Sequence, residues 1–246
     1  SEMCIRDRIF ALLMLTIFMA MLDVQVVSTA LPAIISNLGG AERIGWITAA
    51  YMLAQCATMP IYGKPVLLFA VVLFLIGSFA CGLAPDINWL IAARVLQGLG
   101  GGGVMVSVFS VNADLFEPRE RAKYQSFTSL VLMCAASIGP ALGGTLTQVW
   151  GWRSIFLVNL PIGAVVIVGL TLLLPRRRLY VRRKIDVAGA VTLTIAIISI
   201  VMLADVQQVF EGHAALGAAG LATLAIVSIL LWVRFERRGG GTRNPP

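Results

Sequence analysis

Eight long apolar runs, separated by short polar stretches, make up most of the chain. They lie at Ile9–Leu31, Ile44–Ile61, Pro65–Ala84, Trp89–Val111, Tyr124–Gln148, Ser154–Leu174, Val187–Ala204 and Ala214–Val233. A helix needs about 20 apolar residues to cross the hydrocarbon layer, and each run approaches that length. None alternates with the period of two that a barrel strand requires. The pattern predicts an all-α polytopic membrane protein, with a six-helix bundle over residues 9–174 and two further helices over 187–233.

The polar punctuation is uneven. The segment Pro175 to Asp186 reads PRRRLYVRRKID and holds six Arg or Lys. It is expected to be a cytoplasmic linker that touches anionic headgroups. Residues 234–246 (RFERRGGGTRNPP) are polar and show no closing element, as in a truncated tail. Residues 1–8 (SEMCIRDR) do not begin with Met and join abruptly to an apolar helix, so they are taken as a non-native leader without a functional role.

Charge placement sets the orientation. With the N-terminus inside, the outer loops hold only Arg43 and Arg153, and Arg94 lies within a span. The other sixteen of the 19 basic residues face the cytoplasm. The positive-inside rule therefore predicts a multi-pass protein with a cytoplasmic N-terminus, and the plasma (inner) membrane is the expected location. Composition agrees: 59% of residues are hydrophobic and 13% charged, against about a quarter charged in soluble domains. The net charge of +7 sits in short inter-helix loops, which argues for a bilayer as partner and against nucleic acid. Cys4, Cys56, Cys81 and Cys134 have no CxxC spacing and are expected to be small buried hydrophobes. A lone His213 in a predicted loop builds neither a metal site nor a catalytic triad, so no cofactor and no enzymatic activity are expected.

Two charges lie where hydrocarbon should be. Asp23 falls in the first run, within MLDVQVVSTALPAI, where a charge costs roughly 2.5–3.5 kcal/mol or more. A carboxyl group that is neutral when occluded and charged when wetted is what proton coupling needs. The alternative is a structural carboxylate permanently paired to a cation. Arg94, in LIAARVLQGLGGGGVM, shares one helix face with Gln97, Gly98, Gly101 and Met105. At a rise of about 1.5 Å per residue, Asp23 falls about 4–5 Å outward of the midplane and Arg94 about 9 Å. An arginine side chain spans that difference, so the two are candidates to meet.

Glycine marks two further places. Gly98 to Gly103 contains five glycines in six positions, but no GK[ST] follows, which favours helix packing through Gly98, Gly101 and Gly102 over a phosphate loop. The fifth run carries Gly139, Pro140, Gly143 and Gly144, where the proline removes a backbone hydrogen bond and the glycines permit close packing. This is either a passive kink or a moving hinge.

Taken together, LDVQVVSTALPAI, IAARVLQGLGGG, IGPALGG and WRSIFLVNLPIG resemble the major facilitator superfamily, and within it the fourteen-helix drug:proton antiporter branch. The resemblance runs from Ile9 to about Glu236, the N-terminal portion of such a protein. It places Asp23 in the first-helix motif, and implies a part in proton transfer for Arg94, a role for IGPALGG in antiport, and a final pair of helices matching the two that separate six-helix halves. Two departures stand out. The family's GxLxDxxGRK loop between helices two and three is replaced by Tyr62-Gly63-Lys64 running into Pro65, and Ser126 and Ala135 occupy positions that are usually glycine.

The function expected is proton-coupled efflux of lipophilic, often cationic compounds by alternating access, with Gln97 and Met105 lining the cavity. Rivals are a non-transporting membrane fragment, which would require self-association or a missing C-terminal half to work, and an uptake carrier of the same fold. No nucleotide-binding motif supports ATP-driven transport.

Overall fold

The computed structural model describes residues 2–59, 67–117, 119–173, 187–204 and 214–239. All regular structure among them is helical: α1 Glu2–Leu38, α2 Ile44–Thr58, α3 Leu67–Gly82, α4 Ile87–Leu115, α5 Arg121–Trp150, α6 Ser154–Leu157, α7 Asn159–Leu173, α8 Val187–Ala204 and α9 Ala214–Gly239. Five segments are long and apolar enough to cross a membrane, namely Ile5–Leu38, Ile87–Leu115, Arg121–Trp150, Ser154–Leu173 and Ala215–Arg234. Helix α3, Leu67–Gly82, is apolar but shorter. The protein is an all-α polytopic membrane protein. The altered loop at residues 62–66, the basic linker at 175–186, His213 and residues 240–246 lie outside the described residues.

The chain divides into two compact units, one of residues 1–55 and 62–181, the other of residues 56–61 and 182–246. In the second, α8 packs along α9, with Ala196 and Ser199 of one helix and Ala225 and Ser228 of the other buried.

Helix α1 packs against α4, α5, α6 and α7 of the first unit, and α3 packs along α4. Helix α1 is the longest of these helices. This helix passes through Pro32 without a break and ends only at Gly39 and Gly40, both at φ +72°, where a side chain would be strained. The run pattern places its end at Leu31, because a proline inside a helix costs a hydrogen bond. Inside a bundle, neighbouring helices compensate for one lost bond. Helix α1 also runs unbroken across residue 8, so the proposed leader is helically continuous with the first span.

Packing is close wherever glycine permits it. A Cβ added at Gly98 would strike the Tyr51 carbonyl of α2, and one at Gly100 would strike the backbone of Phe74 in α3. At Gly101 it would lie 2.6 Å from the Tyr51 hydroxyl. Gly102 is buried as well. Helix α5 buries a single stripe, Thr128, Ala135, Gly139 and Gly143. The two glycines of that stripe meet Gln25, Val26 and Thr29 of α1. Pro140 and most of α5 face outward, and the helix continues through the proline. Gly144 has open space around its missing side chain.

These differences are testable. Gly100→Val is expected to destabilise the bundle by about 1–3 kcal/mol through overpacking, whereas Gly144→Ala should stay within about 0.5 kcal/mol. Denaturant unfolding of the purified chain in mixed micelles measures both. Equal effects at the two positions would mean that the α3–α4 contact is looser than described.

Charged loop residues are tied down at the helix ends. Asp86 caps α4 by accepting a bond from the Trp89 amide at 2.9 Å. Arg43 donates to Asn88 Oδ1 at 2.7 Å, and Arg153 donates to the Ala84 carbonyl at 2.9 Å. At the other end of α4, Arg121 satisfies the carbonyls of Ala113 and Phe116, which the helix leaves free.

The sixth run, expected as one helix over Ser154–Leu174, forms the single span Ser154–Leu173, in which α6 passes into α7 through Val158 at helical angles, φ −62° and ψ −25°. Pro161 has no N–H to offer the carbonyl of Leu157, so one helical bond is missing there while the helical path continues.

Candidate functional site

A carboxylate inside an apolar bundle must find donors, and Asp23 finds three. Its Oδ2 accepts from Arg94 Nη1 at 2.6 Å. Its Oδ1 accepts from Gln97 Nε2 at 2.8 Å and from Asn159 Nδ2 at 2.9 Å. Asp23 is 2% exposed and Arg94 is fully buried, so the ion pair is shut off from solvent. The two charges cancel. Their desolvation penalty is offset by mutual attraction and by the two amide donors on the carboxylate. Arg94 Nη2 and Asn159 Oδ1 are buried without a hydrogen-bond partner among the described residues.

Five helices, α1, α3, α4, α6 and α7, build this network. Helix α1 supplies Asp23 and α4 supplies Arg94 and Gln97, one helical turn apart so that both point the same way. Arg94 Nη1 also donates to Gln97 Oε1 at 2.8 Å, which fixes the amide orientation. Helix α3 adds Ser78, whose hydroxyl accepts from Gln97 Nε2 at 3.2 Å and from Asn159 Nδ2 at 3.0 Å. The same hydroxyl donates to the Phe156 carbonyl of α6 at 2.9 Å. Asn159 is the first residue of α7, three positions after Phe156. Cys81, one turn after Ser78, directs its thiol to Gln97 Oε1 at 3.6 Å.

The guanidinium is held from a further side. Arg94 Nε donates to the Ile47 carbonyl of α2 at 3.3 Å, and Cζ lies 4.1 Å from the centre of the Tyr51 ring. Desolvated contacts of that kind stabilise a cation by about 2 kcal/mol. Phe156 lies on another side at 6.0 Å.

The structure therefore brings Asp23, Arg94 and Gln97 together. Met105 lies two turns further along α4, in an apolar cluster with Leu13, Ile17, Tyr51 and Phe74. In this conformation both ends of the Gln97 amide are engaged within the protein. Gly98 and Gly101 set the approach of α4 to Tyr51, and Gly139 and Gly143 set that of α5 to α1. Pro140 and Gly144 touch no part of the network. Of the cysteines expected to be buried, Cys81 is, Cys56 is partly so, and Cys134 is exposed on α5. Cys4 carries no described side chain.

Ser78, Asn159 and Tyr51 went unrecognised in the sequence. The signal for Asn159 was present: an amide side chain two residues before a proline, inside an apolar run. Ser78 offers less, because a single hydroxyl in a span usually bonds its own helix.

Comparison with known proteins gives a consistent picture. A family model described as Major Facilitator Superfamily matches residues 13–233. Multidrug resistance protein 3 of Bacillus subtilis is 35% identical over 234 residues, covering 92% of this chain and 46% of that protein. Multidrug transporter protein MdtP of the same organism is 31% identical, with 89% and 42% covered. Efflux pump FUS6 of Gibberella fujikuroi is 38% identical over 208 residues, with 79% and 38% covered. The chain thus spans about half the length of the curated relatives it matches, or less. The solved POT family transporter PepTSo superposes with a TM-score of 0.60 at 13% identity, over 97% of this chain and 55% of its own. That likeness concerns the fold alone.

Proposed function

Because this chain belongs to the Major Facilitator Superfamily, we propose that it forms the N-terminal portion of a proton-coupled exporter of lipophilic, often cationic compounds. The observation that carries the reading is the Asp23–Arg94 pair, 2.6 Å apart and buried inside an apolar bundle. In an alternating-access cycle, Asp23 binds a proton when opened to one side and releases it when opened to the other. Arg94 stabilises the ionised form, and Gln97 fixes the relative positions of the two. When the bundle opens, Gln97 and Met105 face the substrate path, where a methionine adapts to greasy molecules without demanding fixed polar contacts. The six-helix bundle plus two additional helices, the cytoplasmic N-terminus and the plasma-membrane location are parts of the same proposal.

The names of the three relatives described above speak of multidrug resistance, multidrug transport and efflux, which supports export over uptake. A second reading, a membrane protein that does not transport by itself, draws on the share of its relatives that the chain spans. Inverted vesicles containing this chain alone test both. Efflux predicts ethidium accumulation driven by an inward-acidified lumen and collapsed by a protonophore. No accumulation, with the protein verified in the membrane, would favour the second reading and require adding the C-terminal half of a relative.

A further inference from the structure

The Asp23 carboxylate is surrounded by donors alone: Arg94 Nη1 on Oδ2, and Gln97 Nε2 with Asn159 Nδ2 on Oδ1. That set suits an ionised carboxylate, which only accepts. A protonated carboxyl carries an O–H that must find an acceptor, and a buried donor left without one is costly. Gln97 Oε1 already accepts from Arg94 Nη1 and from the Cys81 thiol. Ser78 Oγ accepts from both amides and gives its own proton to the Phe156 carbonyl, which exhausts it. The Tyr51 hydroxyl is buried without a partner among the described residues, but it makes no bond to Asp23. Of the residues that bond Asp23 directly, Asn159 alone carries a free acceptor, its Oδ1, which is likewise buried without a partner among the described residues. It belongs to the same amide whose nitrogen touches Asp23. A half-turn about the terminal amide torsion, which has a broad two-fold profile, brings the carbonyl to where the NH2 group stood.

We propose that Asn159 reads the protonation state of Asp23, donating to the ionised carboxylate and turning to accept from the carboxylic acid. The inference rests on the proton-coupling reading of the site and adds a residue to it. Asn159 is a positioning residue, since the proton itself resides on Asp23. Its turn also withdraws Nδ2 from Ser78, so the link between α7 and α3 changes when α1 takes up a proton. The side chain stands two residues before Pro161, whose missing N–H leaves the turn around it one backbone bond short. The other ionisable groups facing the network are Arg94 from α4, Tyr51 from α2 beneath the guanidinium, and Cys81 from α3. Among the described residues, α5, α6 and α7 bring none to it.

Infrared difference spectra of the full chain in lipid vesicles, recorded between alkaline and acidic buffer, test the proposal. The Asp23 carboxylic C=O band is assigned by its loss in Asp23→Asn, and the Asn159 amide band by its loss in Asn159→Leu, a near-isosteric change. If Asn159→Leu fails to fold, Asn159→Ser together with 15N-asparagine labelling of the unmutated chain assigns the same band. Both bands are expected to change with one midpoint, and the amide change is expected to vanish in Asp23→Asn. Asn159→Gln, which keeps both ends of the amide, should recover an amide change that Asn159→Leu has lost. A carboxyl band that titrates while the Asn159 amide stays silent overturns the inference and leaves the proton reading standing. No carboxyl band at any pH overturns that reading, and this inference with it.

Discussion

Replacing Asp23 with asparagine is expected to reduce gradient-driven ethidium accumulation in inverted vesicles to the level of empty vesicles. The size of the effect follows from the burial pattern. Asp23 is the only buried carboxylate among the described residues, so no second acid stands ready to carry the proton. Asparagine has nearly the same shape, and its carbonyl can still accept from Gln97 and Asn159. The substitution leaves the buried Arg94 guanidinium without its counter-charge. Unfolding of the same variant in sodium dodecyl sulfate, measured beside transport, therefore separates lost chemistry from a weakened bundle. A permanently neutral side chain mimics the protonated state, so exchange of substrate for substrate, which needs no net proton movement, should survive in the variant. Arg94→Lys is expected to fall short by about tenfold, since an ammonium cannot bond Asp23, Gln97 and the Ile47 carbonyl from one rigid plane. Full gradient-driven activity in Asp23→Asn would end the proton-coupling reading, whatever the behaviour of Arg94.

The two charged residues of this site were legible in the sequence because charge inside hydrocarbon is so costly that its mere presence points to a role. Gln97 was legible by its spacing from Arg94 on one helix face. Met105 shares that face, yet spacing identifies only which side of a helix a residue occupies and not what lies opposite. The packing of α1 and α2 places an apolar cluster there. Asn159 and Ser78 were harder because neither is charged, and their importance arises only when α3 and α7 converge on α1. The helices themselves were largely legible from run length. Their ends were not, wherever proline was involved: Pro32 fails to stop α1, which runs on to Leu38. Pro161 likewise lies inside a span that continues to Leu173.

Stability should separate a paired charge from an unpaired one more sharply than transport does. Arg94→Leu leaves the Asp23 carboxylate buried with only two amide donors, and breaking a buried pair in this way costs about 3–5 kcal/mol. Adding Asp23→Asn to that variant removes the stranded charge. It leaves an amide whose oxygen can still receive Gln97 Nε2 and Asn159 Nδ2, and the double variant is expected to recover at least about half of the loss. Unfolding in mixed micelles by increasing fractions of sodium dodecyl sulfate, read by tryptophan fluorescence, provides the cycle. Should the two substitutions simply add, the pair would be electrostatically idle in the folded bundle. The Tyr51 ring and the Ile47 carbonyl, which hold the guanidinium independently of Asp23, would then account for its burial. A large positive coupling has a consequence for mechanism as well. Protonating Asp23 from outside removes the same charge that Asp23→Asn removes. The coupling energy thus measures how much hold α1 loses on α4 when the proton arrives, and that loosening is the step an alternating-access cycle must draw upon.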